Sequence, residues 1–434
     1  MLPARWCTRG GVLVVCPRVV VGEWLSQLMR WQNIKGIPIV GDAAKKRYRA
    51  GIKAWVHICS YDSLASVESN EYDGIIADEA HYIANEDSNR FQRMQSFRAN
   101  ATWVVALSGT PMSNMLPSLW AQYFWLDGGR TLGPTYDAYR KRYFTQEGRK
   151  LEERDSTEVR VSRAIARITM SLTMQQAFPD KGHKVQTVLR IPMTPEQVAY
   201  YEVVRKAQAA DIMAGRVNLT EATTRLLKLL QVTQGFVLDD QKQVQQFSSA
   251  KLVALEEMLT DKGDLAGERV IVWCRFKHDL QMVTQMLERK GVQHMALHGD
   301  LSDKQKQQLV DGWNLEARNR VLVGMIQMGI GINLHAPTCV DAAGKPAKCF
   351  TTVFFGLDWR VTQLEQAMDR VYRGDQTETC VYRYLLSEDL EGDGDGDPLK
   401  PIDVRIYECL QEKLDQVARV NEEGVDYIRR LLAI

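Results

Sequence analysis

No stretch of these 434 residues approaches the roughly 20 apolar residues that a membrane-spanning helix requires. The longest apolar runs, Gly11 to Val15 and Val353 to Leu357, stop far short, and the N-terminus has no signal-peptide layout. Neither membrane insertion nor secretion is expected. Net charge is almost absent: 55 Lys and Arg against 54 Asp and Glu leave +1, so a polyanionic partner must be held by a local basic surface. The eight cysteines form no Cys-x-x-Cys pair and mostly sit in apolar runs, where cysteine behaves as a small hydrophobe. That usage fits a reducing cytoplasm. Tandem repeats are missing too, which excludes a solenoid.

What is present is an ordinary globular balance, 45% hydrophobic and 25% charged, in a chain long enough for several domains. Short β-branched runs (Val12 to Val15, Trp55 to Ile58, Gly74 to Ala77, Trp103 to Leu107) alternate with helix-length polar segments. Continuous apolar runs of this length mark strands buried on both faces of a parallel sheet. The pattern stops at about Asn114 and resumes with Arg269 to Cys274, His294 to His298, Arg320 to Val323 and Thr352 to Phe355. Between them lies a stretch rich in Arg and Gln, with Leu219, Ala222, Leu226, Leu229 and Leu230 at helical spacing. The fold class expected is α/β: two parallel-sheet lobes, residues 1–175 (helical from about 114) and 248–390, joined by a helical connector at 176–247. Residues 391–434 read as an acidic linker and a C-terminal helix.

Chemistry concentrates at strand ends. Asp78, Glu79, Ala80 and His81 directly follow an apolar run, which puts two carboxylates at the carboxyl end of a buried strand, where α/β sheets bind ligands. In phosphoryl transfer one such carboxylate holds Mg²⁺ and the next orients or deprotonates water. Alone, the pair reads equally well as a charged turn. Ser108-Gly109-Thr110-Pro111 ends the next apolar run, putting small hydroxyl residues at the same end of the sheet. Arg370 and Arg373 are three apart, so on a helix they share a face and offer two planar forks to one polyphosphate. Gly329, Gly331 and Asn333 follow a strand and free backbone amides to approach phosphate.

In this order the segments resemble the Swi/Snf-type superfamily 2 DNA helicases and translocases, particularly the compact versions carried by bacteriophages. Val12 to Trp24 looks like motif Ia, Ile58 to Tyr61 like Ib, Asp78 to His81 like II and Ser108 to Pro111 like III. Val270 to Phe276, with Leu297, His298 and Gly299, resembles motif IV. Gly329 to Leu334 looks like V, and Asp358-Trp359 through Gln366, Arg370, Arg373 and Gln376 looks like the extended VI. The resemblance implies two RecA-like lobes that clamp ATP and track along DNA. It implies Asp78 on Mg²⁺, Glu79 activating water, His81, Gly331 and Gln366 sensing nucleotide, and Arg370 and Arg373 as fingers. Arg18, Ser60, Tyr61 and Arg275 would face DNA. A phage-encoded version would work in the host cytoplasm.

One part of the pattern is missing. No Gly-Lys-Ser/Thr loop occurs: the lone Gly344-Lys345 is followed by Pro346, so it cannot cradle a phosphate at a helix N-terminus. The expectation is a first lobe truncated at its N-terminus, the phosphate-loop (Walker A) strand coming from a separate polypeptide or from upstream. That strand is expected to be central, pairing with the strands of motifs II and III. The alternative is a catalytically inactive remnant that binds DNA or protein. Residues 393–397 resemble a calcium loop only superficially, since Pro398 and Val404 stand where Gly and Glu are required. Cys339, Cys349 and His335 match no zinc spacing and read as buried side chains, and Trp24, Trp31, Trp55 and Trp103 read as packing residues.

Overall fold

The computed structural model describes residues 11–42, 45, 55–68, 72–109, 116–147, 150–172, 174–213, 219–239, 241, 243–260, 263–329, 332–336, 338–373, 376–390 and 399–432. Residues 174–175, 207–213, 219–222, 303 and 420–432 are described by backbone alone. Two compact units result, Met1–Leu172 with Lys413–Ile434, and Thr173–Glu412. Among the described residues no helix is long and apolar enough to cross a membrane.

The first unit is built on five parallel strands: β1 (Gly11–Cys16), β2 (Ile37–Ile39), β3 (Val56–Ser60), β4 (Tyr72–Asp78) and β5 (Trp103–Leu107). Their order is β2-β3-β1-β4-β5. β1 lies centrally with Val12 through Cys16 all buried, which is why it reads as an unbroken apolar run rather than an alternating one. One apolar face packs against helix Val21–Gln32, the other against helices Asn89–Asn100 and Leu119–Asp127. A hairpin, β6 (Phe144–Glu147) and β7 (Lys150–Glu153), lies beyond.

A phosphate-loop strand pairing with those of motifs II and III would stand between them, yet β4 and β5 pair directly, Gly74 opposite Trp103 and Asp78 opposite Leu107. Gly74 makes this possible, since a Cβ there would lie 2.0 Å from Cζ2 of Trp103. Among the described residues the far edge of β5 has no strand partner, and Val105 and Leu107 are each 39% exposed.

The second unit holds six parallel strands: β8 (Lys184–Ile191), β11 (Val270–Cys274), β12 (His294–Leu297), β13 (Val321–Met325), β14 (Thr351–Phe354) and β15 (Cys380–Ser387). They run in the order β12-β13-β11-β14-β15-β8. β11, β13 and β14 are wholly buried. The connector is helical over Pro195–Met213 and Leu219–Gln234, with a small hairpin of β9 (Phe236–Leu238) and β10 (Val244–Gln246). Its one long strand, β8, joins the sheet edge, where mostly exposed side chains leave no apolar run to read. Gly324 repeats the Gly74 device: its absent Cβ would meet Trp273 of β11 at 2.6 Å.

Helix Ile402–Leu432 contributes its first turns to the second unit and Lys413 onward to the first. It begins at a buried ion pair, Lys251 Nζ 2.7 Å from Asp403 Oδ2, with the backbone and hydroxyl of Ser387 donating to the same oxygen. Burial pushes the Asp403 carboxyl up, but Lys251 and Ser387 outweigh it and hold it below its ordinary value. Just before the helix, Leu390 and Leu399 exchange two backbone hydrogen bonds of 2.9 Å, an antiparallel bridge that brackets residues 391–398.

Candidate active site

β4 delivers Asp78 to its carboxyl end, and the chain then turns sharply: Glu79 adopts φ 52°, ψ 55°, left-handed for a residue with a side chain. A 3₁₀ turn, Ala80–Ile83, follows, with the Tyr82 amide donating to the Glu79 carbonyl at 2.9 Å. The turn keeps both carboxylates at the sheet end instead of burying one in a continuing strand. His81 Nδ1 lies 3.3 Å from Glu79 Oε2.

Asp78 is held at three points. The Trp24 indole Nε1 donates to Oδ2 at 2.7 Å, the Glu79 amide donates to Oδ1 at 3.0 Å, and the Tyr61 hydroxyl donates to the Asp78 carbonyl at 2.8 Å. Burial pushes the Asp78 carboxyl above its ordinary pKa, partly offset by the Trp24 bond. A carboxylate offers about four acceptor positions. Two are engaged, and the rest suit a hard cation that binds through one carboxylate, water and phosphate oxygens. The donor set therefore fits Mg²⁺.

Of the four residues proposed for a DNA face, two are interior. Ser60 is buried with its hydroxyl bonded to Ser63 at 2.9 Å, and Tyr61 is buried and stacked on Tyr82, ring centroids 5.2 Å apart. Arg18 is exposed in the turn after β1. Arg275 pairs through Nε with buried Asp358 Oδ2 at 3.0 Å. Of motif III, Ser108 and Gly109 follow β5, while Thr110 and Pro111 lie outside the described residues, as does Gly331.

In the second unit, helix Val361–Met368 carries Gln366, which is buried, and leads to the two arginines. Arg370 Nη1 donates to the Ile332 carbonyl at 2.5 Å, Arg373 Nη2 donates to the same oxygen at 3.0 Å, and Arg370 Nε donates to the Gln366 carbonyl at 2.5 Å. The helix expected to carry both arginines ends at Met368: Arg370 lies in the turn that follows and Arg373 beyond it, so the two meet by converging on the Ile332 carbonyl and not by sharing a helical face. Gln376 is fully buried and donates to the Cys349 carbonyl. Cys349 is itself buried, and burial pushes its thiol up to about 12.

Two residues contribute that sequence reading did not place here. Trp24 was read as packing, yet its ring edge reaches Asp78. Buried Lys181 bonds the Arg373 carbonyl and sits 3.8 Å from the Tyr372 ring centroid, capping the end of the arginine segment. Only the 54-residue and 192-residue separations in sequence hid them.

A family model described as the SNF2-related domain matches residues 5–241, and one described as the helicase conserved C-terminal domain matches residues 250–375. The chain is 25% identical over 383 residues to protein p41 of the Acyrthosiphon pisum secondary endosymbiont phage 1, covering 83% of this chain and 77% of that one. It is 22% identical over 427 residues to the DNA repair and recombination protein RDH54 of Saccharomyces cerevisiae strain RM11-1a, covering 87% of this chain but only 44% of the yeast protein. Among solved structures, the Sulfolobus solfataricus SWI2/SNF2 ATPase core in complex with dsDNA matches with a TM-score of 0.36 and 20% identity, over 87% of this chain and 77% of that one.

Proposed function

The chain belongs to the SNF2-related family, and from that premise we propose that it is an ATP-dependent DNA helicase or translocase of the Swi/Snf-like class. The observation that carries the reading is the pair Asp78–Glu79 at the carboxyl end of β4, with the first carboxylate fixed and the second turned out by a left-handed backbone. Mg²⁺ held by Asp78 would neutralise phosphate charge. Glu79 accepts a proton from the attacking water, and His81, beside it, keeps the carboxylate in place. Gln366 and Gly331 sense the nucleotide. Arg370 and Arg373 exchange the Ile332 carbonyl for phosphate oxygens, supplying positive charge where it develops, an effect on the order of 10³ or more in related chemistry.

DNA is the proposed partner, as the name of the yeast relative suggests for that protein. Arg18 is the exposed candidate for its backbone. Arg275 reaches it by leaving Asp358, and Ser60 and Tyr61 act from below by shaping the strand ends. A phosphate-binding loop on a separate polypeptide would find the far edge of β5 without a strand partner among the described residues.

The experiment is ATP hydrolysis by the purified chain, with and without duplex DNA, beside Glu79→Gln. DNA-stimulated turnover that Glu79→Gln abolishes is expected once the phosphate-loop segment is supplied. A second reading, an inactive DNA-binding remnant, is favoured by the missing Gly-Lys-Ser/Thr. It prevails if DNA binds but no added segment restores turnover.

A further inference from the structure

We propose that Trp24 is a positioning residue whose indole N–H fixes the Asp78 carboxylate in the orientation that receives the metal ion. The inference rests on the nucleotide reading above and deepens it. Trp24 stands in the first turn of helix Val21–Gln32, directly after the 3₁₀ turn Arg18–Val20 that follows central strand β1. Its ring rests against the apolar cluster containing Val12, Val14 and Ile76, which fixes the ring plane from below. Only the donor edge is left to make a polar contact, and it meets Asp78 Oδ2 at 2.7 Å.

An indole N–H is a donor with no acceptor capacity, so it can hold a carboxylate without competing for the cation. Its single fixed direction matters because Mg²⁺ demands near-ideal octahedral geometry, and a carboxylate that swings loses affinity when it must be frozen on binding. The Glu79 amide fixes Oδ1 and Tyr61 fixes the carbonyl, so the indole removes the last rotation. A Phe at this position keeps the packing and loses the bond.

The test uses the full chain labelled with ¹⁵N at tryptophan, the Trp24 indole resonance being the one missing from Trp24→Phe. Asp78→Ala should move that resonance upfield, the signature of a lost carboxylate acceptor, which a purely packing role would not produce. Mn²⁺, used as the probe ion, should broaden the same resonance before the other indoles, and free Mn²⁺ counted by its paramagnetic signal should show about tenfold weaker binding by folded Trp24→Phe. An unmoved resonance in Asp78→Ala overturns the proposal. So does Trp24→Phe binding Mn²⁺ as tightly as the unaltered chain, or more tightly, which would make the indole a lid on the carboxylate. If the unaltered chain shows no selective broadening while the resonance still moves, the metal role of Asp78 fails, and with it the positioning role.

Discussion

Glu79 carries its side chain at φ 52°, a conformation that costs most L-residues on the order of 1–2 kcal/mol and that Asn tolerates far better. A strained residue that is also one of the carboxylate pair separates folding from chemistry. Glu79→Asn should raise stability in denaturant titration by about 1 kcal/mol while removing turnover. Glu79→Gln should remove turnover with stability unchanged, because it keeps the strain. A second residue couples stability to pH. Asp279 is fully buried after β11, its Oδ2 accepting the amides of Arg275 and Phe276 at 3.1 and 2.8 Å. Burial pushes its carboxyl up to about 7, against those two bonds and the charges of Lys251 and Arg275. A folded-state pKa above the unfolded value means the folded chain holds the extra proton, so this stability is present at low pH and is lost as pH rises from about 4 to 7. Asp279→Asn keeps an acceptor and loses the titration. Its melting temperature should vary less than that of the unaltered chain over this window and exceed it at pH 8, where the stability difference is on the order of 1–3 kcal/mol.

At the scale of elements, both sheets use a tryptophan laid across a glycine on the neighbouring strand, but the two pairs differ in freedom to adjust. Trp273 is fully buried with Gly324 against it, whereas Trp103 belongs to β5, whose outer edge is open among the described residues. Gly324→Ala should therefore cost about 2–3 kcal/mol by overpacking, and Gly74→Ala less despite its closer approach, because the edge indole can swing outward. Chemical denaturation of the two variants checks the ranking. Most strands that the sequence made legible are buried on both faces, β1, β3, β4, β11, β13 and β14, where burial forces an unbroken apolar run; β5 and β12 show the same kind of run although they are only partly buried. β8 was not legible, because an edge strand with exposed Lys184, Gln186 and Arg190 needs no such run, and three-residue β2 is too short for any period to show. The site follows the same logic. A strand end announced Asp78 and Glu79, while the Trp24 contact and the turn that brings Arg370 and Arg373 onto Ile332 depend on pairings between distant segments that no local spacing encodes.

For the whole molecule, two compact units imply two cooperative transitions, and the buried pair Lys251–Asp403 lies wholly inside the second. Lys251→Met leaves Asp403 buried and unpaired, at a cost of about 3–5 kcal/mol. Calorimetry should show the transition of residues 173–412 falling while the other keeps its midpoint to a first approximation. The same pair anchors the start of the C-terminal helix, and the Leu390–Leu399 bridge stands immediately before that anchor. Because the two ends of the bridge already meet, the chain passing between them need satisfy no length. A foreign domain spliced in at that point would hang from a closed neck with both its termini side by side, so a fluorescent reporter or an affinity handle could be carried there without lengthening any path through the core.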